Sequence, residues 1–295
     1  VAAGLWRRHG EKGSSAGPFS GVITVTVKLS ALVCAHNEEQ RLAACLQRLR
    51  FADEVVVVLD RCTDRSAEIA RLHADRVVTG TFPLEGPRRA AGVEACTGDW
   101  ILEIDADEVV SAALAEEVRH MTRSAITAAH FLIPIDNYVG DRLIRHGWGG
   151  SFGTSAVARL YRRGCKRWNA QRVHPGVVLE GSSGGRLLNP IIHHVDDDVS
   201  DMLRRLDRYT DLRARDLIDE GRVGSLGGAA LRGLRRFWKC YVRRKGYREG
   251  RWGVLIAVMA GLFAFLSVLR AQLLLADLAA PVPGVGPGSS EVAAE

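Results

Sequence analysis

The chain of 295 residues contains no Cys-x-x-Cys pair. Its six cysteines, Cys34, Cys45, Cys62, Cys96, Cys165 and Cys240, stand singly, which suggests neither a zinc ribbon nor a disulfide scaffold and makes a reducing compartment the default. No internal repeat with a period of about 20–50 residues is visible, which sets repeat architectures aside. Val1 to Gly21 is rich in Gly, Ser and Arg and lacks the apolar core of about 7–15 residues that a secretory signal needs. Residues 1–26 are therefore expected to be a disordered tail, or an extension upstream of a true start near Val27. With 47% hydrophobic and 25% charged residues the composition is ordinary, and collagen-like, coiled-coil and wholly disordered chains are excluded. At about 150 residues per domain, the length suits one large domain or two small ones.

From residue 29 onward, short apolar runs alternate with helix-like segments, the pattern of a parallel sheet with crossover helices. The expected strands are Ser30 to Ala35, Glu54 to Leu59, Arg76 to Thr79 and Trp100 to Ile104. Leu42, Cys45, Leu46 and Leu49 share one helix face, and Thr63 or Ser66 is expected to cap a helix that contains Ile69 and Leu72. Loops that follow such strands form a ligand crevice. Ser111 to Arg123 then reads as a helix, and His130 to Ile135 and Ala158 to Tyr161 as strands. The Gly-rich stretch at Gly147 to Gly153 is a place where an acceptor pocket could be built. Val199, Met202, Leu203, Leu206 and Tyr209 keep helical spacing, with Asp198 or Ser200 as the cap.

The net charge of +6 invites nucleic acid or an anionic membrane as a partner. Its distribution chooses between them. Fifteen Lys and Arg against six Asp and Glu lie between Arg204 and Arg251, so the remainder of the chain is slightly acidic. Directly after this block, Val254 to Leu269 carries no charge and ends at Arg270. Basic residues bordering an apolar helix suit anionic headgroups, whereas a nucleic-acid reader interleaves them with exposed aromatics. The run is short of the roughly 20 residues of a membrane span unless it continues through Leu273 to Leu275 with Arg270 snorkelling to the interface. A buried core helix is the competing assignment. Beyond Pro281, Pro, Gly and Ser indicate a flexible tail.

The strongest chemical signal is Glu103, Ile104, Asp105, Ala106, Asp107, Glu108 at the end of an apolar strand. Crowded carboxylates repel unless a cation sits among them, and hard oxygen ligands favour Mg2+ or Mn2+. Bare Asp-x-Asp is common on surfaces; its place at the carboxyl end of a central strand sets this one apart.

Together with Ala35, His36, Asn37, Glu38, Glu39 after the first strand, Leu59 to Ser66 after the second, and Thr97 to Trp100 before the fourth, this segment resembles the ordered motifs of family 2 glycosyltransferases. The resemblance covers about residues 29 to 280. It implies an α/β GT-A, Rossmann-like nucleotide-diphospho-sugar transferase fold with a C-terminal helical, membrane-associating extension. It also implies a nucleotide-diphosphate sugar donor and an Mg2+ or Mn2+ ion bridging its diphosphate to the protein. By the same resemblance, Ala35, Asn37 and Glu38 lie beside the nucleotide, Asp60 at the base or ribose, and Arg89 near the nucleotide or diphosphate. Asp105 lies by the ribose and metal, and Asp107 ligates the metal. His193, with His194, is a further candidate, as a metal ligand or as a contact to the leaving diphosphate. Asp64 is the better candidate for a helix cap. Two departures, Ala90 where many members have Asn and Cys62 where Ser is usual, remove no charge.

The second half is similar to bacterial lipopolysaccharide core glucosyltransferases at Asp136 to Gly140, His146 to Trp148, Ala158 to Tyr161, Val173, His174, Ile192, His193 and Gly246 to Gly253. In those relatives Glu follows the His at 174, whereas here Pro175 does. Inverting transfer needs a base for the acceptor hydroxyl, worth about 10²–10⁴-fold. His174, Glu180 or an acid between Asp136 and Asp141 are the candidates. The expected organisation is a catalytic domain over 27–200, with donor half 29–110 and acceptor half 111–200, then a basic helical region and apolar helix over 201–280, then a tail over 281–295. The expected activity is metal-dependent, inverting transfer of a hexose, with UDP-sugar as donor, to a lipopolysaccharide-core or other envelope glycan acceptor. The expected location is the cytoplasmic face of a bacterial inner membrane, with no nucleic acid as partner. Two alternatives stay open: a polyprenyl-phosphate sugar transferase, and an inactive nucleotide-sugar-binding homologue.

Overall fold

A computed structural model of the chain describes residues 27–124, 126–149, 155–169 and 176–279. The expected N-terminal extension, the tail from 281, much of the Gly-rich stretch after Gly149, and Val173, His174 and Pro175 lie outside the described residues.

Four strands open the fold: β1 (Leu29–Ala35), β2 (Glu54–Asp60), β3 (Arg76–Gly80) and β4 (Trp100–Asp105). All pair in parallel, in the order β3-β2-β1-β4. Every residue of β1 and β2 is buried, as expected of strands covered on both faces. The covering helices are α1 (Leu42–Arg48), α2 (Ser66–His73) and α3 (Glu85–Ala95). Their apolar residues build one core around Leu29, Val33, Leu46, Val57 and Trp100, and another around Leu32, Val56, Val58 and Ile101 on the other face. Neither Thr63 nor Ser66 caps α2. Asp64 does the equivalent work, its Oδ1 accepting from the Ser66 amide at 3.0 Å, because a carboxylate two residues back reaches the first free N–H.

After β5 (Glu108–Val109) and α4 (Ala112–Arg123), capped by Ser111, the chain adds β6 (His130–Val139), β7 (Arg142–Ile144) and β8 (Ala156–Arg162). There follow a separate hairpin of β9 (Lys166–Trp168) and β10 (Val177–Leu179), then β11 (Ser183–Arg186) and β12 (Ile191–Asp196). The sheet continues from β4 through β8, β6 and β12 to β5, with β11 and β7 also paired to β6. β6 runs beyond the expected end at Ile135 because Asn137 and Val139 keep the inward alternation.

Three helices close the described chain: α5 (Val199–Asp219), capped by Asp198, α6 (Leu226–Trp238), and α7 (Arg251–Ala279). A π-helical turn (Lys239–Arg243) and a 3-10 turn (Gly246–Glu249) join the last two. Ile256, Met259 and Phe263 of α7 share a core with Met202 and Leu206 of α5 and with Val139, Ile144 and Trp148. Arg270 of α7 pairs with Asp207 of α5. The mixed α/β sheet with crossover helices and a C-terminal helical extension, expected from the sequence, is thus present.

Candidate active site

Three parallel strands deliver the candidate residues to one edge. β1 ends at Ala35, β2 at Asp60 and β4 at Asp105, and the register pairs Ala35 with Leu59 and Cys34 with Asp105. The loops after β1 and β2 are laced together. Asn37, in the left-handed region at φ 55°, turns its Oδ1 to accept from the Thr63 amide at 2.8 Å. The Glu38 amide donates to Ser66 Oγ at 2.8 Å and the Glu39 amide to Asp64 Oδ2 at 3.0 Å. The Glu38 carboxyl is raised above its usual range by burial first and by the charge of Asp107 second.

Asp60 is buried and accepts from the Phe82 amide at 3.0 Å and from Arg61 Nε and Nη2 at 3.0 and 2.9 Å. Burial pushes its carboxyl up, but the Arg61 and Phe82 hydrogen bonds outweigh that and hold it low. Arg88 Nη1 stands 3.8 Å from Asp60, and among the described residues its buried Nε has no hydrogen-bond partner. The neighbouring Arg89 is buried and fully engaged elsewhere, with Glu85, Glu103 and Asp105. Arg89 is thus committed to three carboxylates, and of the two arginines Arg88 is the one that faces Asp60.

Beneath the Asp-x-Asp segment lies a buried ionic network. Glu103 accepts from Arg89, from Arg159 at 3.1 Å, from Lys166 at 2.6 Å and from the Tyr161 hydroxyl at 2.9 Å. Burial alone would raise its carboxyl, but Lys166, Arg89 and Arg159 bring it down to about 2. Arg159 also bonds Asp105 Oδ2 and, at 3.0 Å, Glu108 Oε1; Glu108 Oε2 accepts from the Asp105 amide at 2.8 Å. Arg159 and Lys166 were not singled out as site residues from the sequence. A carboxylate at the centre of the apolar run Trp100–Asp105 was their signal, because a buried charge requires buried partners.

This geometry separates the two aspartates. Asp105 gives Oδ1 to Arg89 at 2.9 Å and Oδ2 to Arg159, so its oxygens are already taken by cations and do not fit a metal ion in this arrangement. Asp107 is different. Its Oδ2 faces His193 Nε2 at 3.3 Å, and His193 Nδ1 lies 3.1 Å from Asn137 Oδ1. β12 brings the histidine there from 86 residues away by pairing His193 with Glu108 of β5 and with Asn137 of β6. Burial lowers the His193 imidazole, but Asp107 and then Glu108 and Asp105 raise it above its ordinary value. One carboxylate and one imidazole held by a neighbouring amide oxygen fit a divalent ion that takes its other ligands from a diphosphate and water. Among the described residues, no group of three or more His, Cys, Asp or Glu could hold a metal by itself.

Of the base candidates, His174 lies outside the described residues. Glu180 is exposed beyond the β9–β10 hairpin and pairs with Arg167 at 3.2 Å. No described hydrogen bond or ion pair joins it to the carboxylate cluster.

Residues 30–176 match the model of glycosyl transferase family 2. The chain belongs to that family and is a glycosyltransferase. Among proteins of similar sequence is the lipopolysaccharide core biosynthesis glycosyltransferase LpsC of Rhizobium meliloti, 26% identical, with 82% of this chain and 91% of LpsC covered. An uncharacterized glycosyltransferase of Rickettsia typhi is 25% identical over 82% of this chain and 85% of its own. Among solved structures, S. aureus TarS 1-349 matches at TM-score 0.41 and 14% identity, covering 64% of this chain and 65% of that one. Glucosyl-3-phosphoglycerate synthase of Mycobacterium tuberculosis, solved with Mn2+, UDP and glucosyl-3-phosphoglycerate, matches at 0.34 and 19%, covering 39% and 46%.

Proposed function

We propose that this glycosyltransferase moves a hexose, with inversion, from a UDP-sugar to a lipopolysaccharide-core or other envelope glycan acceptor at the cytoplasmic face of the inner membrane. The observation that carries the reading is the convergence of Asn37, Glu38, Asp60, Asp105 and Asp107 at the carboxyl ends of adjacent parallel strands, with His193 brought to Asp107. The similarity to LpsC, named for core biosynthesis, supports the acceptor class.

In this reading Asp60 and the Asn37 loop hold the nucleoside, and Arg88 supplies the cationic contact expected of Arg89. Asp107 and His193 would hold Mg2+ or Mn2+, which offsets the charge that develops on the leaving diphosphate. Asp105, fixed between two guanidiniums, keeps an orientation in which it addresses the ribose rather than the ion. His174 takes the acceptor proton; Glu180, exposed and paired with Arg167, is set aside as base.

The test is a panel of nucleotide sugars added with Mn2+ while the melting temperature is followed, since the true donor stabilises in proportion to its affinity. UDP-hexoses should raise it and GDP- or dTDP-sugars should not. If no nucleotide sugar does so with metal present, the donor assignment is wrong. An acid-labile, organic-soluble sugar phosphate as product would instead identify a polyprenyl phosphate as acceptor.

A further inference from the structure

The sequence points to the apolar run of α7 as the element that meets the membrane. In the structure one face of that run is committed to protein, while Val254, Val258 and Leu262 stay 41%, 39% and 38% exposed. Ile256, Ala257, Met259, Ala260, Phe263, Ser267, Val268 and Ala271 are buried. Arg270 pairs with Asp207, and Gln272 Nε2 donates to the Gly224 carbonyl at 2.8 Å. α6 crosses α7 backbone to backbone: a Cβ on Gly233 would lie 2.9 Å from the Gly261 oxygen. Crossing a bilayer would pull α7 out of the core it shares with α5, β6 and β7.

Among the described residues, the opposite face of α6 is apolar and open. Leu231, Leu234 and Trp238 follow one another at i, i+3 and i+7, and are 49%, 68% and 61% exposed. Beside them Arg232, Arg235, Lys239 and Arg243 are exposed as well. From Gly221 to Arg248 the chain has nine Lys and Arg and no acidic residue. An apolar stripe with a tryptophan, flanked by arginine and lysine and free of carboxylates, is the pattern of a helix that lies in the headgroup region of an anionic bilayer. A second protein copy would bring the same unopposed positive charge to the contact, which disfavours self-association through this face.

We infer that α6 is the membrane-inserting element, seating Leu231, Leu234 and Trp238 among the acyl chains of an anionic bilayer with Arg232, Arg235 and Lys239 at the headgroups, while α7 is a docked helix that does not span. The inference rests on the membrane-side location proposed above and not on the donor chemistry.

The test is flotation of the full-length protein with vesicles of phosphatidylcholine alone or with roughly one-third phosphatidylglycerol. The wild type should float only with the anionic vesicles, and release at high salt. Leu234→Asp should lower the partition coefficient by at least ~10-fold, and Arg235→Gln or Lys239→Gln by ~5-fold each. Leu188→Asp, on an 87% exposed leucine elsewhere, should leave binding unchanged. Trp238→Phe should remove most of the tryptophan quenching by brominated lipid, a readout independent of the charge substitution. Equal flotation of Leu234→Asp and wild type would overturn the proposal. So would loss of binding in Leu188→Asp, binding indifferent to anionic lipid, or extraction from native membranes by detergent alone, which would mean that α7 spans. A wild-type dimer that Leu234→Asp converts to monomer, without vesicle binding, would show a self-interface and also overturn it. The Mn2+-dependent donor shift, measured on the same variants without vesicles, should be unchanged, so failure of this inference and failure of the donor assignment are read separately.

Discussion

His193 Nε2 lies 3.3 Å from Asp107 Oδ2 while its Nδ1 lies 3.1 Å from Asn137 Oδ1. An amide oxygen only accepts, so Nδ1 carries a hydrogen and Nε2 either holds a second proton toward Asp107 or offers its lone pair. A proton and a divalent ion therefore compete for the same nitrogen. Because the imidazole is raised above its ordinary 6.5, protonation opposes ion binding at a higher pH than it would for an unperturbed histidine. Mn2+ affinity, measured by calorimetry with a UDP-sugar present, should fall about tenfold per pH unit below the raised pKa. In His193→Asn that slope should flatten, with affinity lower by roughly 10–100-fold at pH 8. Asp107→Ala should abolish the Mn2+-dependent thermal shift while leaving the melting temperature of the free protein nearly unchanged.

Arg159 is the hinge of the buried network, contacting Glu103, Asp105 and Glu108 at once. Lysine keeps the charge but not the planar fork that spans three carboxylates. Arg159→Lys should therefore leave the fold intact with a stability loss of about 2 kcal/mol, and lower kcat/KM by roughly 10–100-fold through misorientation of Asp105. Arg159→Ala, which leaves buried Glu108 without its guanidinium and takes one cation from Glu103 and Asp105, should cost about 3–5 kcal/mol in urea unfolding. Equal activity of the lysine variant and the wild type would show that Asp105 needs no such fixing.

Acid should act on the same network through Glu103. Its folded-state pKa of about 2 lies below the ordinary 4.5, so its stabilisation is fully present above pH 4.5 and is lost as the pH falls toward 2. The span corresponds to a contribution on the order of 3 kcal/mol. Urea midpoints taken between pH 6 and 3 should drop steeply in the wild type and more shallowly in Glu103→Gln, which starts lower because Arg89, Arg159 and Lys166 lose their shared anion.

What could be read from the chain depended on whether a signal was local. β1, β2, β3 and β4 and the helices α1 and α2 follow from apolar runs and helical spacing, each contained within a dozen residues; α3 shows no such spacing and was not read from the sequence. Asp60, Asp105 and Asp107 were legible because each sits where such a run stops. His193 was legible only as a candidate metal ligand, because its contact with Asp107 depends on β5 and β12 meeting across 86 residues. Which of Arg88 and Arg89 lies toward Asp60 was equally hidden: neighbours on a helix differ by about 100° in direction, and only the sheet beneath decides which one faces in. The apolar run at 254 was visible, but its burial depended on α5 and α6, whose packing composition alone does not disclose.

That last point can be tested at the glycines, which mark where helices approach backbone or core closely. A Cβ on Gly92 of α3 would lie 2.5 Å from Leu32 Cδ1 and 2.8 Å from Val58 Cγ2, both in the packed core under the helix. Gly92→Ala should therefore push α3 off the sheet and destabilise by about 1–3 kcal/mol. Because α3 also carries Arg88 and Arg89, donor affinity should fall along with stability. Gly227, in the first turn of α6, has nothing within 4 Å of the same added atom. There the substitution only restricts the unfolded chain and improves helix propensity, so Gly227→Ala should gain about 0.5–1 kcal/mol. Opposite signs for two Gly→Ala changes, read by urea unfolding, would tie the α3 effect to overpacking; a loss at Gly227 equal to that at Gly92 would refute it.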